Sequence, residues 1–223
     1  MMKALAAAFI LTACSGVLSA QPASIPLVLF PEETRDFSSW IRDEGWKIMR
    51  EQPRDWGVGG GALHLVSRGN SVLMGIERGL PVDLERTPIL RLRLKVVSVP
   101  RGTDLSRKSG DDAAFRAYLA FDKGGGFFTP PHTIAYTWSE KEAAGTVIAS
   151  PHYSNVHYIS LGLGPTPGDE WVVVERDVVA DYRALFPGEA RAPVLNGLAL
   201  KCDTNDTKTF AESRLSVIEL RGR

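Results

Sequence analysis

The sequence predicts an all-β fold, an antiparallel β-sandwich or jelly roll with one or two short helical turns. About nine apolar segments of roughly five to ten residues are separated mostly by Gly, Pro, Asn or Asp, as short strands joined by turns usually are. In the segment 89–97, leucine and valine alternate with arginine and lysine, so one face of the predicted strand is buried and the other is exposed to solvent. The pattern shows no long helices between strands, which argues against a doubly wound parallel sheet.

The predicted elements follow in order along the chain. A short apolar run at 25–30 and a segment of mixed period at 37–49 come first. The predicted strands are 62–66, 71–76, 89–97, 114–121, 133–138, 156–163, 171–179, 194–202 and 214–220. The segment 181–186 is predicted to be a helical turn, because Pro187 and Gly188 would end it.

The composition indicates one globular domain. Of the 223 residues, 44% are hydrophobic, and lysine plus arginine and aspartate plus glutamate each total 26. This balance leaves no net charge to attract nucleic acid. Because an all-β sandwich of roughly 200 residues is usually a single domain, residues 21–223 are predicted to form one.

The first residues are typical of a secretory signal peptide, predicted at 1–20. Lys3 precedes an apolar run at 4–13 that is too short to span a bilayer, and small residues follow it. Two cleavage chemistries are open. The string L-T-A-C resembles a lipobox, in which Cys14 would be acylated, whereas ordinary cleavage would follow Ala20. Both predict export, to the periplasm or as a lipoprotein anchored to the outer membrane.

Several common site signatures are not matched. The glycine triplets at 59–61 and 124–126 do not open a helix, so both are predicted to be loops rather than phosphate sites. The histidines lack the spacing of a zinc site on one helix face; they are His64, His132, His152 and His157. Cys202 lies in an apolar strand and is predicted to be buried and unreactive.

Two acidic turns are more informative. Asp111 and Asp112 lie in the stretch K-S-G-D-D before a strand, and the string D-T-N-D-T starts at Asp203 and Thr204, where another strand ends. The oxygens of Asp111, Asp112 and Asp203 suit a hard cation, so a structural Ca²⁺ is the cofactor they would hold. The alternative is that both are Asx-type turns, whose side chains accept hydrogen bonds from backbone N–H groups.

Alternation also places aromatic and charged side chains on common strand faces. Arg116 and Tyr118 share one face of their strand. Tyr136 and Trp138 share a face of the next strand; the small residues between them favour the core for these rings, and a sugar-stacking platform is the alternative. If both faces point the same way, the four side chains form a groove for a hydroxylated or acidic ligand.

Several motifs together are similar to a family of exported bacterial proteins, the domain of unknown function numbered 3047. They are W-x-V-G-G-G-A-L-H, T-P-I-L-R-L-R-L-K-V, K-S-G-D-D-A-A-F-R-A-Y, I-A-Y-T-W-S, D-Y and C-D-T-N-D-T. The resemblance implies a galactose-binding-like β-sandwich and brings no established activity. It picks out Lys108, Gly110, Asp111, Asp112, Arg116, Tyr118, Tyr136, Trp138, Asp203 and Thr204. Where the family tends to read D-T-D-N-T, this chain has Asn205 and Asp206 in the opposite order.

These observations favour a binding module of the cell envelope that is not an enzyme. Its ligand would be a saccharide or a similar polyol, held by aromatic faces and by hydrogen bonds to hydroxyl groups. The predicted ligand-binding residues are Asp111, Asp112, Arg116, Tyr118, Tyr136, Trp138, Asp203 and Thr204.

Two alternatives stay open. The first is a carbohydrate-active enzyme on the same scaffold. A glycoside hydrolase would place Asp203 across a cleft from Asp111 or Asp112, and a polysaccharide lyase would use Tyr118 or Tyr136 as base beside an arginine that binds a uronate. The second is a structural envelope protein whose acidic loops only brace the sandwich.

Overall fold

The structure, a computed structural model, describes residues 24–76, 80, 82–122, 130–189 and 192–223. The predicted signal segment, its Cys14 and the glycine triplet at 124–126 lie outside the described residues. Within the part of the chain that is described, no helix is long and apolar enough to cross a membrane.

The described chain folds as a sandwich of two β-sheets, which confirms the predicted all-β class. All nine predicted segments form strands. The strands are β1 (Ser24–Val28), β2 (Lys47–Ile48), β3 (Gly57–Gly59), β4 (Ala62–Arg68), β5 (Ser71–Ile76), β6 (Ile89–Ser98), β7 (Ala113–Asp122), β8 (His132–Ser139), β9 (Val147–Ala149), β10 (Val156–Leu163), β11 (Val172–Asp177), β12 (Val194–Asp203) and β13 (Phe210–Arg221). The α-helices are α1 (Phe37–Asp43) and α2 (Val178–Leu185).

The two sheets differ in size and topology. The first sheet has the order β11-β6-β13-β4-β3, with β1 also paired to β13, and the second sheet has the order β2-β5-β12-β7-β8-β10-β9. Pairing is antiparallel except between β8 and β10, which run parallel. This pair departs from the predicted antiparallel sandwich. The chain reverses direction from β8 to β9 and again from β9 to β10, and β10 lies between the other two strands, so it runs parallel to β8.

The core lies between the two sheets and follows the predicted alternation. In β6, the side chains of Leu90, Leu92 and Leu94 are fully buried or nearly so, whereas the arginines between them are only half-buried or exposed. In β7, Phe115 and Leu119 point into the same core from the second sheet. The opposite face of the second sheet points away from this core and is called the outer face below.

The structure differs from the sequence prediction mainly at element ends. The strand predicted at 171–179 stops at Asp177, because the Asp177 carboxylate accepts a hydrogen bond from the backbone N–H of Ala180 and so caps α2. The mixed segment 37–49 contains α1, which Asp36 caps in the same way, followed by β2. The unpredicted strands β2, β3 and β9 are only two or three residues long, too short to show a period.

The first glycine triplet forms the predicted loop. Gly59 pairs with Ala62 across the β3–β4 hairpin, and the two residues between them, Gly60 and Gly61, have φ of 60° and 66°. Positive φ at both central residues is what a two-residue type I′ hairpin turn requires, and glycine adopts it without a steric penalty. The triplet is therefore a turn and not a phosphate loop.

Candidate functional site

The polar residues predicted in β7 lie on the outer face of the second sheet. Because Phe115, Ala117 and Leu119 point into the core, the intervening Arg116 and Tyr118 point outward. Arg116 is nevertheless fully buried, while Tyr118 is partly exposed. An outward arginine that no water reaches must be covered by other polar groups, and these groups define the site.

Arg116 is held by four neighbours. Its Nη2 donates to Oδ1 of Asp111 at 2.9 Å, its Nη1 to the hydroxyl of Tyr118 at 3.3 Å, and its Nε to Oγ1 of Thr137 at 3.3 Å. The guanidinium also lies 4.5 Å from the centre of the Tyr158 ring. Burial opposes its charge, but Tyr118, Asp111 and Asp203 together raise the pKa of Arg116 above its ordinary value, so the guanidinium stays charged.

Both carboxylate oxygens of Asp111 are occupied. Oδ1 accepts from Arg116, and Oδ2 accepts from the hydroxyl of Tyr158 at 2.8 Å, with Nε2 of His152 at 3.4 Å from the same oxygen. Burial is the main reason that the pKa of Tyr158 is raised, so this hydroxyl is a neutral donor. Asp111 is therefore the hub that joins the β7 arginine to the loop before β10.

The turn before β7 is shaped by a close backbone approach at Gly110. The backbone N–H of Asp104 donates to the carbonyl of Gly110 at 3.0 Å, and a Cβ at position 110 would lie 2.8 Å from that nitrogen. Glycine is therefore needed here for space rather than for an unusual φ. The close approach fixes the backbone of the K-S-G-D-D turn at Gly110. It thereby places the next residue, Asp111, beside Arg116.

A second buried ion pair lies next to the first. Lys201 of β12 is in register with Arg116 of β7, and its Nζ donates to Oδ2 of Asp203. Oδ1 of Asp203 accepts from the backbone N–H of Ala113 at 3.2 Å. Burial raises the pKa of Asp203, although Lys201 and Arg116 act in the opposite direction. Two cations and two carboxylates therefore balance one another behind the outer face.

Asp112 and Thr204 brace loops instead of facing a ligand. The carboxylate of Asp112 accepts from the backbone N–H of Asp206 at 3.2 Å and from the N–H and hydroxyl of Thr207, both at 2.7 Å. Oγ1 of Thr204 accepts from the backbone N–H of Gly69 at 2.7 Å, in the β4–β5 turn. Both residues are fully buried. This is the capping role that the sequence left open as the alternative to a metal or ligand site.

A cleft of about 450 Å³ opens on the outer face beside these ion pairs. Its lining combines aromatic, apolar and polar side chains: Arg50, Leu73, Asp111, Tyr118, Thr133, His152, Tyr153, Val156, Tyr158, Lys201, Asn205 and Asp206. Tyr153 stands out because 62% of it is exposed. Burial, followed by the nearby Asp112 and Asp111, raises the pKa of Asp206. The cleft therefore offers tyrosine rings next to hydrogen-bonding groups.

The prediction that Tyr136 and Trp138 share a groove with Arg116 and Tyr118 is wrong. Tyr136 is in register with Ala117 of β7, so both side chains point into the core. Tyr136 is fully buried and donates its hydroxyl to Oδ2 of Asp181 at 2.9 Å. Trp138 is 7% exposed, and its Nε1 donates to the carbonyl of Gly164 at 2.7 Å. The two rings are core residues, as the small outer-face residues beside them favoured.

The structure brings Asp111, Asp112, Arg116, Tyr118 and Asp203 together at one end of the second sheet. Of these five residues, Asp111 and Tyr118 line the cleft, while the others lie behind it. The two acidic turns therefore meet, through hydrogen bonds from the loop after Asp203 to the Asp112 carboxylate.

Ten of the twelve residues that line the cleft were missed from the sequence, which predicted Asp111 and Tyr118. Lys201 and Tyr158 could have been found from alternation, since each lies between inward-pointing residues of its strand. His152, Tyr153 and Asp206 lie in loops that have no period, and only the tertiary structure brings them to the second sheet. A sequence pattern indicates which residues share a face of a strand, but it does not indicate which loop covers that face.

The carboxylates proposed for calcium do not fit that role. Asp111 is paired with Arg116 and Asp203 with Lys201, so a fixed positive charge already occupies the place where a cation would bind. Across the described ranges, no group of three or more His, Cys, Asp or Glu side chains is arranged to hold a metal ion. Cys202 is buried, and burial raises the pKa of its thiol, which leaves it protonated.

Similarity to solved structures is confined to general shape. An agarase, AgWH50C, is 10% identical with a TM-score of 0.39, and the match covers 90% of this chain but only 24% of the agarase. The xyloglucanase domain of NopAA, a type three effector from Sinorhizobium fredii in complex with cellobiose, is 10% identical over 89% of this chain and 100% of its own, with a TM-score of 0.42. A thermo-stable cellulase derived from Cel12A of Rhodothermus marinus is 10% identical over 90% and 97%, with a TM-score of 0.40.

Sequence comparison is more specific. No curated protein has a sequence that matches this chain significantly. A family model, in contrast, matches residues 38–219, which include every strand except β1 and the last two residues of β13, and every residue named above for the cleft. The chain therefore belongs to the family described as "Protein of unknown function (DUF3047)".

Proposed function

We propose that this protein binds a neutral saccharide or a similar polyol in the cleft on the outer face of the second sheet, without catalysing a reaction. The observation that carries the proposal is the combination of tyrosines with hydrogen-bonding groups in one cleft. Tyr118 and Tyr153 provide aromatic surface, and Asn205 and Asp206 provide amide and carboxylate groups beside it. Sugars match such a surface, because their C–H faces stack on aromatic rings and their hydroxyl groups form hydrogen bonds with the polar groups beside them.

The charge balance favours an uncharged ligand. Arg116 and Lys201 are each paired with a carboxylate, so neither cation is free to bind an acidic group of a ligand. Asp206 and the exposed Arg50 leave the cleft with one charge of each sign. A uronate or phosphate would therefore meet the carboxylate of Asp206, which repels it, as well as the exposed Arg50, whereas an uncharged ligand meets no such repulsion.

The carboxylates are poorly placed for glycoside hydrolysis. Such a reaction needs two carboxyl groups that can each reach the scissile bond. Both oxygens of Asp111 are engaged, and Asp112 and Asp203 are fully buried. Asp206 is then the cleft carboxylate that faces the ligand, and one such group supports binding rather than two-carboxylate catalysis.

The lyase alternative has less support. It requires an arginine that reaches the uronate, but Arg116 is fully buried and paired. Of the two tyrosines that could act as its base, Tyr136 is in the core, where burial raises its pKa, so Tyr118 is the one that remains.

A glycan array probed with the purified chain tests the proposal. We expect a neutral glycan to bind and Tyr118→Ala and Tyr153→Ala to weaken its binding at least tenfold. The control is Trp171→Ala, which removes an aromatic ring that stacks on Arg93 in the first sheet, away from the cleft. Unchanged binding by both tyrosine variants would overturn the site, and release of shorter products from a bound glycan would favour the enzyme alternative.

Export to the cell envelope is part of the same proposal and rests on the sequence of the first 20 residues. Mass spectrometry of the protein recovered from cell envelopes would distinguish the two cleavage chemistries. An acylated first residue that disappears with Cys14→Ser supports the lipoprotein form. An unmodified residue 21 at the N-terminus supports ordinary cleavage.

A further inference from the structure

We infer that the ligand is a linear oligosaccharide that extends from the cleft into a neighbouring hollow on the outer face of the second sheet, with more than one unit bound at once. The inference rests on the proposed function and adds a second binding space to the proposed site. The relevant feature is a hollow of about 120 Å³ that adjoins the cleft. Tyr118 lines both spaces and so forms a shared wall between them.

The hollow exists because small side chains meet on the outer face. It is lined by Met49, Gly75, Ile76, Tyr118, Ala120, Gly197, Leu198 and Ala199. Ala199 of β12 is in register with Gly75 of β5 on one side and with Tyr118 of β7 on the other. A Cβ at position 75 would lie 2.6 Å from Sδ of Met49, so the missing side chain is what lets Met49 close this end of the hollow.

The hollow and the cleft are offset along the strands of the second sheet. Gly75 of β5 and Ala199 of β12 line the hollow, whereas Leu73 and Lys201, two residues away on the same strands, line the cleft. Two residues of a strand span about 6.6 Å. A ligand that occupies both spaces, with Tyr118 between them, is therefore longer than a single sugar ring.

One exposed apolar side chain lies beside each of the two spaces. Met49 is 48% exposed beside the hollow, and Tyr153 is 62% exposed beside the cleft. Their positions suit a ligand that is long enough to contact both side chains. The lining of the hollow contains no charged residue among those that the structure describes, so the unit bound there is neutral and is contacted through its C–H face.

Length dependence of binding tests this inference. Isothermal titration calorimetry would use cello-, xylo-, malto- and agaro-oligosaccharides of increasing length, from single units to hexamers. We expect affinity in the preferred series to rise at least tenfold from the shortest ligand that binds to the longer members. Ala199→Leu fills the hollow and should remove this gain while leaving affinity for the shortest ligand unchanged.

Two further variants keep the test decisive. Ala199→Val adds less volume and serves if the leucine variant does not fold. Val194→Leu adds volume to the same strand at a position that is 61% exposed and outside the hollow, and it should keep the full gain. Equal affinity for short and long members, or a gain that survives in both Ala199 variants, would overturn the inference and leave the proposed function standing. Failure of every series to bind would overturn both.

Discussion

Arg116 and Asp111 form an ion pair, with 2.9 Å between Nη2 and Oδ1, that is closed off from solvent although it lies on the outer face of a sheet. The side chains are 0% and 4% exposed. Desolvation of two charges is costly, and here it is offset by their mutual attraction and by hydrogen bonds from Tyr158 to Asp111 and from Arg116 to Thr137. The pair therefore stabilises the wall of the cleft, which Asp111 itself lines.

Removal of one partner should be more harmful than removal of both. Arg116→Met leaves the Asp111 carboxylate buried without its cation, which we expect to lower the free energy of unfolding by about 3–5 kcal/mol. Combined with Asp111→Asn, the same change should be less destabilising than the sum of the two single variants, because no charge is then stranded. Urea unfolding of the four proteins of this double-mutant cycle measures the difference. Additive losses would show that the two side chains do not stabilise each other.

The acidic turn at Asp112 should matter for stability. In Asp112→Asn an amide nitrogen replaces one of the oxygens that accept from Asp206 and Thr207, and loss of these charged hydrogen bonds should lower the free energy of unfolding by about 2 kcal/mol. Asp55→Asn is the control, since Asp55 makes an exposed ion pair with Arg68 at 3.4 Å and its loss should cost less than about 1 kcal/mol. Equal effects of the two substitutions in chemical denaturation would refute the bracing role.

The same residues show how far the sequence predicts this fold. Alternation in β6, β7 and β12 was sufficient to identify strands and to place Arg116 and Tyr118 on one face, since periodicity is a local property. It could not say that Trp138 lies on the opposite face of the sheet, because the relation between faces of two strands depends on their register. His152 reaches Asp111 only through tertiary folding, so no sequence pattern identifies that contact.

Packing around Trp138 gives a third prediction. An alanine Cβ at Gly162 would lie 2.7 Å from the Trp138 ring, so Gly162→Ala must push a core side chain aside. We expect this overpacking to lower the free energy of unfolding by about 1–3 kcal/mol. Gly57→Ala is the matched control, because Gly57 also lies in a strand and a Cβ there meets nothing within 4 Å. Thermal unfolding of both variants checks the prediction, and a similar melting temperature for the two would contradict it.

The raised pKa of Asp206 predicts a pH dependence of stability. Burial, Asp112 and Asp111 raise this pKa in the folded protein, so the folded state holds the proton to higher pH than the unfolded state does. Stability therefore falls as pH rises from the unfolded value of about 4 through the raised folded value. Asp206→Asn removes this loss, so the melting temperature of the variant relative to wild type should increase between pH 4 and pH 7.

Asp36 offers a control of opposite sign for this pH effect. Hydrogen bonds from Ser39, first from its backbone N–H, lower the pKa of Asp36, so its contribution to stability is present above about pH 4 and is lost as pH falls through the lowered value. The melting temperature of Asp36→Asn relative to wild type should therefore decrease between acidic and neutral pH. A parallel pH response of the two variants would show that Asp206 ionises as easily in the folded protein as in the unfolded chain, and that its carboxylate is not desolvated by the cleft.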